Sequence, residues 1–317
     1  MTGAGRRRHL LPDTSGTLRT VVRVAYLGGV AVALGWLAWD QRHSVAPLLD
    51  GARFAPLALA LALGFVQLGL GSGLWVLALR SLGEPAPFPV VLDATARSLL
   101  ARYLPGSVWY AVGRGALLRR HGVSTRALAA VSVLEIGLSV VVGFVLGSAL
   151  LLVSSGLPPG VGWLALVGLG AAAVTCSPPV VNRALAAVGR RWGGGGPRLG
   201  WAAFAGLVGW LALFWISSAA MFVAYVRAFP AVTAVLPGLL GVAGAFLVTR
   251  VLGMLALFAP QGLGVFEVAL AALLGAGAAT QGVGAGVAEL VVVVAGFRLL
   301  ILVRDGLAVA VAEARRR

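Results

Sequence analysis

Ala259-Pro260-Gln261-Gly262-Leu263-Gly264-Val265-Phe266-Glu267 interrupts an otherwise unbroken apolar region covering residues 236–279. Proline removes a backbone donor, the two glycines permit conformations closed to other residues, and a carboxylate follows within one turn. Such a stretch describes a broken helix at membrane depth. Bare backbone is tolerated in a bilayer only where protein or a water-filled cavity satisfies it, so the break marks a candidate site.

Composition sets the context. Of 317 residues, 60% are hydrophobic and only 11% charged, and the mean hydropathy is +0.97. A soluble domain of this length has no use for so much apolar surface, whereas a membrane bundle needs roughly 20 apolar residues per helix. The formal net charge is +15, carried entirely by arginine rather than lysine. These arginines lie between apolar stretches and no zinc-finger or RNA-binding signature accompanies them. They therefore mark topology and contacts with anionic lipid, not nucleic acid. Cys176 is the single cysteine, which excludes an internal disulfide and a thiolate metal cluster. The amino-terminal residues carry Arg6, Arg7 and Arg8 but no cleavable signal-peptide pattern.

Read in order, the chain predicts an all-α, polytopic membrane bundle of about eight helices, with one or two broken or re-entrant ones. The expected spans are 21–39, 54–79, 126–153, 161–176, 200–226, 236–259, 263–279 and 287–309. A basic tail, 1–20, precedes this single membrane domain and another, 310–317, follows it. A Gly-rich linker over 177–199 divides the domain into halves, 21–176 and 200–309, that could form a pseudo-repeat. With eight crossings the arginine-rich loops and both termini fall on the cytoplasmic side. The segment 263–279 either spans or folds back. In the second span Gly64, Gln67 and Gly71 share one face, a small-residue stripe suited to close helix packing.

Residues 80–126 form the longest interruption and carry seven arginines. Two pieces too short to span meet there at Pro105-Gly106, either as a re-entrant hairpin or as a surface amphipathic helix with a loop. Arg102-Tyr103-Leu104-Pro105-Gly106-Ser107-Val108-Trp109 thus resembles the break at Pro260. Paired interruptions in corresponding halves point to a transport site, and half-helix amino termini suit a phosphate. Ionisable groups within apolar spans, Glu135, Arg250, Glu267 and Glu289, should face one another or a wet cavity. Each costs roughly 2.5–3.5 kcal/mol at a helix centre on insertion scales. An Arg250–Glu267 pair is expected across the turn at Pro260, as a structural pair or as part of a site. Arg102 and Arg114 either hold a phosphate bidentately or mark the cytoplasmic side.

The Leu-Pro-Gly at 104–106 followed by Gly113-Arg114, the Arg119-Arg120-His121-Gly122-Val123 after it, Glu135 in the next span, and Pro260-Gln261-Gly262-Leu263-Gly264-Val265-Phe266-Glu267 resemble the membrane region of lysylphosphatidylglycerol synthases, the flippase part of the multiple peptide resistance factors. The likeness covers nearly the whole chain. It implies a multi-pass protein of a prokaryotic cytoplasmic membrane that moves or presents a phospholipid or lipid-linked headgroup, anionic or zwitterionic. By motif it carries over Pro105, Gly106 and Arg114 from the first signature and Pro260, Gly262, Gly264 and Glu267 from the second. Ile136 and Gly137 depart from the charged residues that often follow the acid of the third span.

Lipid translocation is the expectation these residues support, with no cofactor, no metal and no reaction of its own. A membrane platform for a separate lipid-modifying transferase or glycosyltransferase is the alternative, and self-association is open to either. No soluble transferase domain follows Arg317, and no hydrolase or metalloprotease motif occurs, so the chain alone is not expected to be a synthase or an intramembrane enzyme.

Overall fold

A computed structural model describes residues 39, 43, 46, 49–103, 108–154, 166, 168–170, 177–190, 198–236, 238–256, 262–280 and 287–315. The expected spans 21–39 and 161–176, and Pro105, Gly106, Pro260 and Gln261, lie outside or almost wholly outside these residues. Every described element is helical, and the molecule is an all-α membrane bundle.

Among the described residues three helices are long and apolar enough to cross a membrane: α1 (Phe54–Ser81), α4 (Thr125–Val153) and α6 (Trp201–Arg227). Between α1 and α4 lie α2 (Phe88–Ser98), a short 3-10 turn (Leu99–Tyr103) and α3 (Val108–Arg119). These are the two short pieces expected on either side of Pro105-Gly106, and they pack on each other. Pro89 in the first turn of α2 sits where its missing N–H is not needed. Ser124 caps α4 by accepting the Ala127 N–H at 3.1 Å, and donates its own N–H and O–H to the Glu84 carboxylate.

The stretch read as a linker is partly structured. Within it α5 (Pro178–Arg190) is an amphipathic helix, tied down where the Asn182 amide bridges the N–H and C=O of Leu199. After α6 come α7 (Pro230–Val235), α8 (Leu239–Leu255), α9 (Val265–Thr280) and α10 (Val287–Ala314). The tail expected from residue 310 is therefore the last turn of α10. This helix matches α1 in length but carries Arg298, Arg304, Asp305 and Glu313 within an apolar sequence.

Two antiparallel pairs build the core. α1 lies along α6, where the Trp210 indole N–H donates to the Leu70 carbonyl at 2.7 Å. α4 lies along α8, where Gly147 and Gly244 bring the backbones together: a Cβ on Gly244 would sit 2.9 Å from the Gly147 carbonyl oxygen. Small residues are what allow two membrane helices to gain contact area, because burial from lipid supplies no hydrophobic drive. Phe222, Tyr225, Phe246, Phe266 and Phe297 form one aromatic cluster joining α6, α8, α9 and α10, with ring centroids 4.6–6.3 Å apart. α10 is the hub, contacting α1, α2, α9 and the 3-10 turn.

Candidate functional site

The second break folds as its residues require. α8 ends at Leu255 and α9 begins at Val265; Gly262 and Gly264 adopt φ of +66° and +83°. Gly262 also lies against Gly253 of α8, where an added Cβ would come within 2.6 Å of backbone atoms, so no side chain fits. Gly264 precedes the first turn of α9, and the fully buried Glu267, at its third position, reaches back to accept the Gly264 N–H at 2.8 Å. That is one half of a capping box. The other carboxylate oxygen pairs with Nε of Arg298. Both oxygens of Glu267 are thus engaged, and its partner is Arg298 of α10 rather than the expected Arg250, because α10 brings Arg298 over Phe266 and Glu267 while Arg250 sits on the other helix of the break. The carboxylate also occupies one N–H of the helix terminus where the sequence leads one to expect a phosphate.

The first break presents cations instead. Arg102 closes the 3-10 turn and lies 3.6 Å from Asp305 of α10. Asp305 is fully buried. It accepts the Tyr103 hydroxyl at 2.9 Å on one oxygen and the Arg304 guanidinium on the other. Arg304 continues to the Gln67 amide oxygen at 2.8 Å and the Gly64 carbonyl at 3.3 Å, at the middle of α1. The small-residue stripe of α1 therefore packs as expected and also receives a guanidinium.

Arg114 is buried with its guanidinium 3.7 Å from the Trp75 ring centre and 4.5 Å from that of Tyr110, and its Nη2 is 2.5 Å from Glu135. Arg102 stands 4.9 Å from the same Tyr110 ring, so Tyr110 links the two arginines. From Trp75 to Gln67 on α1 the network thus descends about two helical turns, roughly 12 Å, toward the middle of the bundle.

Arg250 completes it. Its side chain is partly exposed and lies within electrostatic reach of Arg102, Arg298 and Arg304, all of the same sign. Among the described residues no carboxylate or hydrogen bond engages it. An uncompensated guanidinium at this depth carries an insertion cost of roughly 2.5–3.5 kcal/mol, which the remaining structure must offset. A phosphate meets that need directly, since guanidinium binds phosphate bidentately.

The contacts link Arg102, Arg114 and Glu135 through Tyr110, pair Glu267 separately with Arg298 beside Gly264 and Gly262, and leave Arg250 within electrostatic reach of Arg102 and Arg298. Pro105, Gly106 and Pro260 lie outside the described residues, as does the Glu289 side chain. Arg298, Arg304 and Asp305 are missing from the set the sequence singles out, although the same signal, charge inside an apolar span, marks them. Tyr110 had no signal of its own, while Gln67 stood out only within the small-residue stripe of α1 and Tyr103 only as part of the first break.

A bundle of apolar helices with arginines and carboxylates paired in its interior defines a multi-pass membrane protein. Residues 26–303 match the family model for the lysylphosphatidylglycerol synthase TM region, and the chain belongs to that family. Among curated proteins none matches the chain.

Proposed function

We propose that the protein translocates a phospholipid or lipid-linked headgroup across the cytoplasmic membrane of a prokaryote, binding the lipid phosphate at the arginine network. The observation that carries this reading is the set of arginines held inside the bundle, Arg114 beside Glu135, Arg102 and Arg304 beside Asp305 and Arg298 beside Glu267, with Arg250 of α8 within electrostatic reach of three of them. A group held there at a cost is a functional group by default.

Topology supports the reading. Arg80, Arg119, Arg120, Arg126, Arg198 and Arg315 stand at helix ends that gather at one end of the bundle, against Arg53 and Arg227 at the other. The arginine excess supports a cytoplasmic position for the first end, where α10 closes. A headgroup arriving from that side meets the Arg114–Glu135 pair first, with Glu135 partly exposed, then Arg102, and then Arg250 and Arg304 level with the centre of α1. The two interrupted hairpins act as re-entrant elements that line this path, and α10 holds both. The role is transport, and the chain performs no chemistry on the lipid.

The test is movement of a fluorescent phosphatidylglycerol in proteoliposomes, read by dithionite quenching. Arg250→Gln is expected to slow it at least tenfold, and Arg250→Lys to slow it less. Equal rates for wild type and Arg250→Gln would overturn the proposal. An inactive wild type that co-purifies with a soluble transferase would point to the platform role instead.

A further inference from the structure

We infer that a groove on the flank of the bundle, between α1, α2 and α10, holds one acyl chain of a resident phospholipid whose phosphate lies at Arg315. The groove is separate from the paired charges of the interior, and its occupancy is independent of transport.

The cavity measures about 590 Å³ and is walled by Phe65 and Leu68 of α1, Phe88 and Leu92 of α2, and Ala308 and Val311 of α10. Asp93 and Arg315 are the charged residues of its wall. Its size falls within the range of small-ligand sites, about 300–1,000 Å³. Phe65, Phe88 and Val311 remain well exposed, so the groove opens sideways from the bundle. Gly69 of α1 leaves part of the wall unfilled: a Cβ built there would meet no atom within 4 Å.

What fills the groove follows from where it lies. Arg304 contacts Gly64 and Gln67 at the middle of α1, and Arg315 comes eleven residues later along the same helical path, about 16 Å further at 1.5 Å per residue. That is close to half of a roughly 30 Å hydrocarbon core, the depth of one leaflet. Water is a poor filler for an apolar wall, since an ordered water needs about two to four polar partners. The phase beside the groove is lipid, so an acyl chain enters. Moving a chain out of lipid supplies no hydrophobic drive, so its retention rests on dispersion contact with three helices and on its headgroup.

The head end is charged as a phospholipid requires. Arg315 is exposed at the close of α10, at the level of the phosphates of that leaflet. The acids nearby face another partner: Arg97 lies 3.1 Å from Asp93 and 3.5 Å from Glu313. The guanidinium of Arg315 is therefore the group that meets the phosphate. A lipid seated this way braces α2, the first piece of the first hairpin, against α1 and α10.

Photo-crosslinking in proteoliposomes, with phosphatidylcholine carrying a diazirine at the middle of one acyl chain, tests this on the unaltered chain. Labelling of Phe88, Leu92 and Val311 should exceed that of Leu213 and Ile216, exposed apolar residues of α6 outside the groove, at least threefold. Gly69→Phe, whose ring enters the unfilled space, should abolish the excess and leave the labelling of α6 unchanged. Arg315→Gln should lower it about twofold, as for an exposed ion pair. Native mass spectrometry from mild detergent should find one phospholipid retained per wild-type chain and none on Gly69→Phe. Equal labelling of groove and α6 would show ordinary bilayer contact and overturn the inference. Labelling of the groove weaker than that of α6 would also overturn it, and would place another part of the chain there, such as residues 21–39. The labelling ratio of the unaltered chain decides the matter even if Gly69→Phe loses helicity.

Discussion

The two interrupted hairpins look alike in sequence but neutralise their charges differently. The first, α2 through α3, brings in Arg102 and Arg114, and other helices supply the acids: Asp305 from α10 and Glu135 from α4. The second, α8 through α9, brings in a carboxylate, Glu267, which it uses to cap its own helix and which α10 neutralises with Arg298. It also brings in Arg250, which nothing described neutralises. A proline beside glycines tells where a helix stops; what the gap does depends on which helix packs across it. Here one helix, α10, serves both breaks, with Arg298 facing the second and Asp305 facing the first, seven residues and about two turns apart.

If the second hairpin is held by its own carboxylate, removing that charge should cost most. Glu267→Gln leaves Arg298 buried without its counter-charge, and breaking a buried pair from one side typically costs about 3–5 kcal/mol. Thermal denaturation in detergent should show a large loss of stability and reduced yield. Retention of wild-type stability would mean that Glu267 is not structural and that the two hairpins are closer in kind than the geometry indicates. Next comes Gly262→Ala. A methyl group there meets the Gly253 backbone in a left-handed conformation, and strain plus overpacking amount to about 2–4 kcal/mol. The same measurement reads it, and an unchanged melting temperature would place the second break in a looser packing than the one described.

How much of this was legible in the sequence follows from what each residue's role depends on. Helix positions depend on hydropathy, so 54–79, 126–153 and 200–226 agree with α1, α4 and α6 to within two residues at each end. The left-handed glycines depend on local chain chemistry, and Pro-x-Gly-x-Gly before a helix is enough to expect them. Partner choice depends on how helices rotate about their axes, which no local pattern encodes. That is why Glu267 goes to Arg298 rather than to Arg250, and why Tyr103 finds Asp305 across 202 positions of sequence. Arg298, Arg304 and Asp305 could have been found by the rule that picked out Arg250. The apolar residues on either side of them make α10 read as an ordinary span. α5 escaped for another reason: Pro178 and the glycines after Arg190 mask the amphipathic turn between them.

The smallest expected effect makes the sharpest comparison. Glu135→Gln removes the acid from the first hairpin as Glu267→Gln does from the second, but the surroundings differ. Glu135 keeps a quarter of its side chain exposed, and Arg114 would still lie between the faces of Trp75 and Tyr110. Stacking on two rings supports a guanidinium after its carboxylate is gone, and partial exposure lets water reach the vacated position. The loss of stability should be about 1 kcal/mol, several times less than for Glu267→Gln under identical conditions. Because Arg114 then stands one charge less compensated along the path, the variant should bind phosphatidic acid at least as tightly as wild type. A loss of stability equal to that of Glu267→Gln would show that the first hairpin, too, is held shut by its ion pair, and the contrast between a cation-bearing approach and a carboxylate-locked break would disappear.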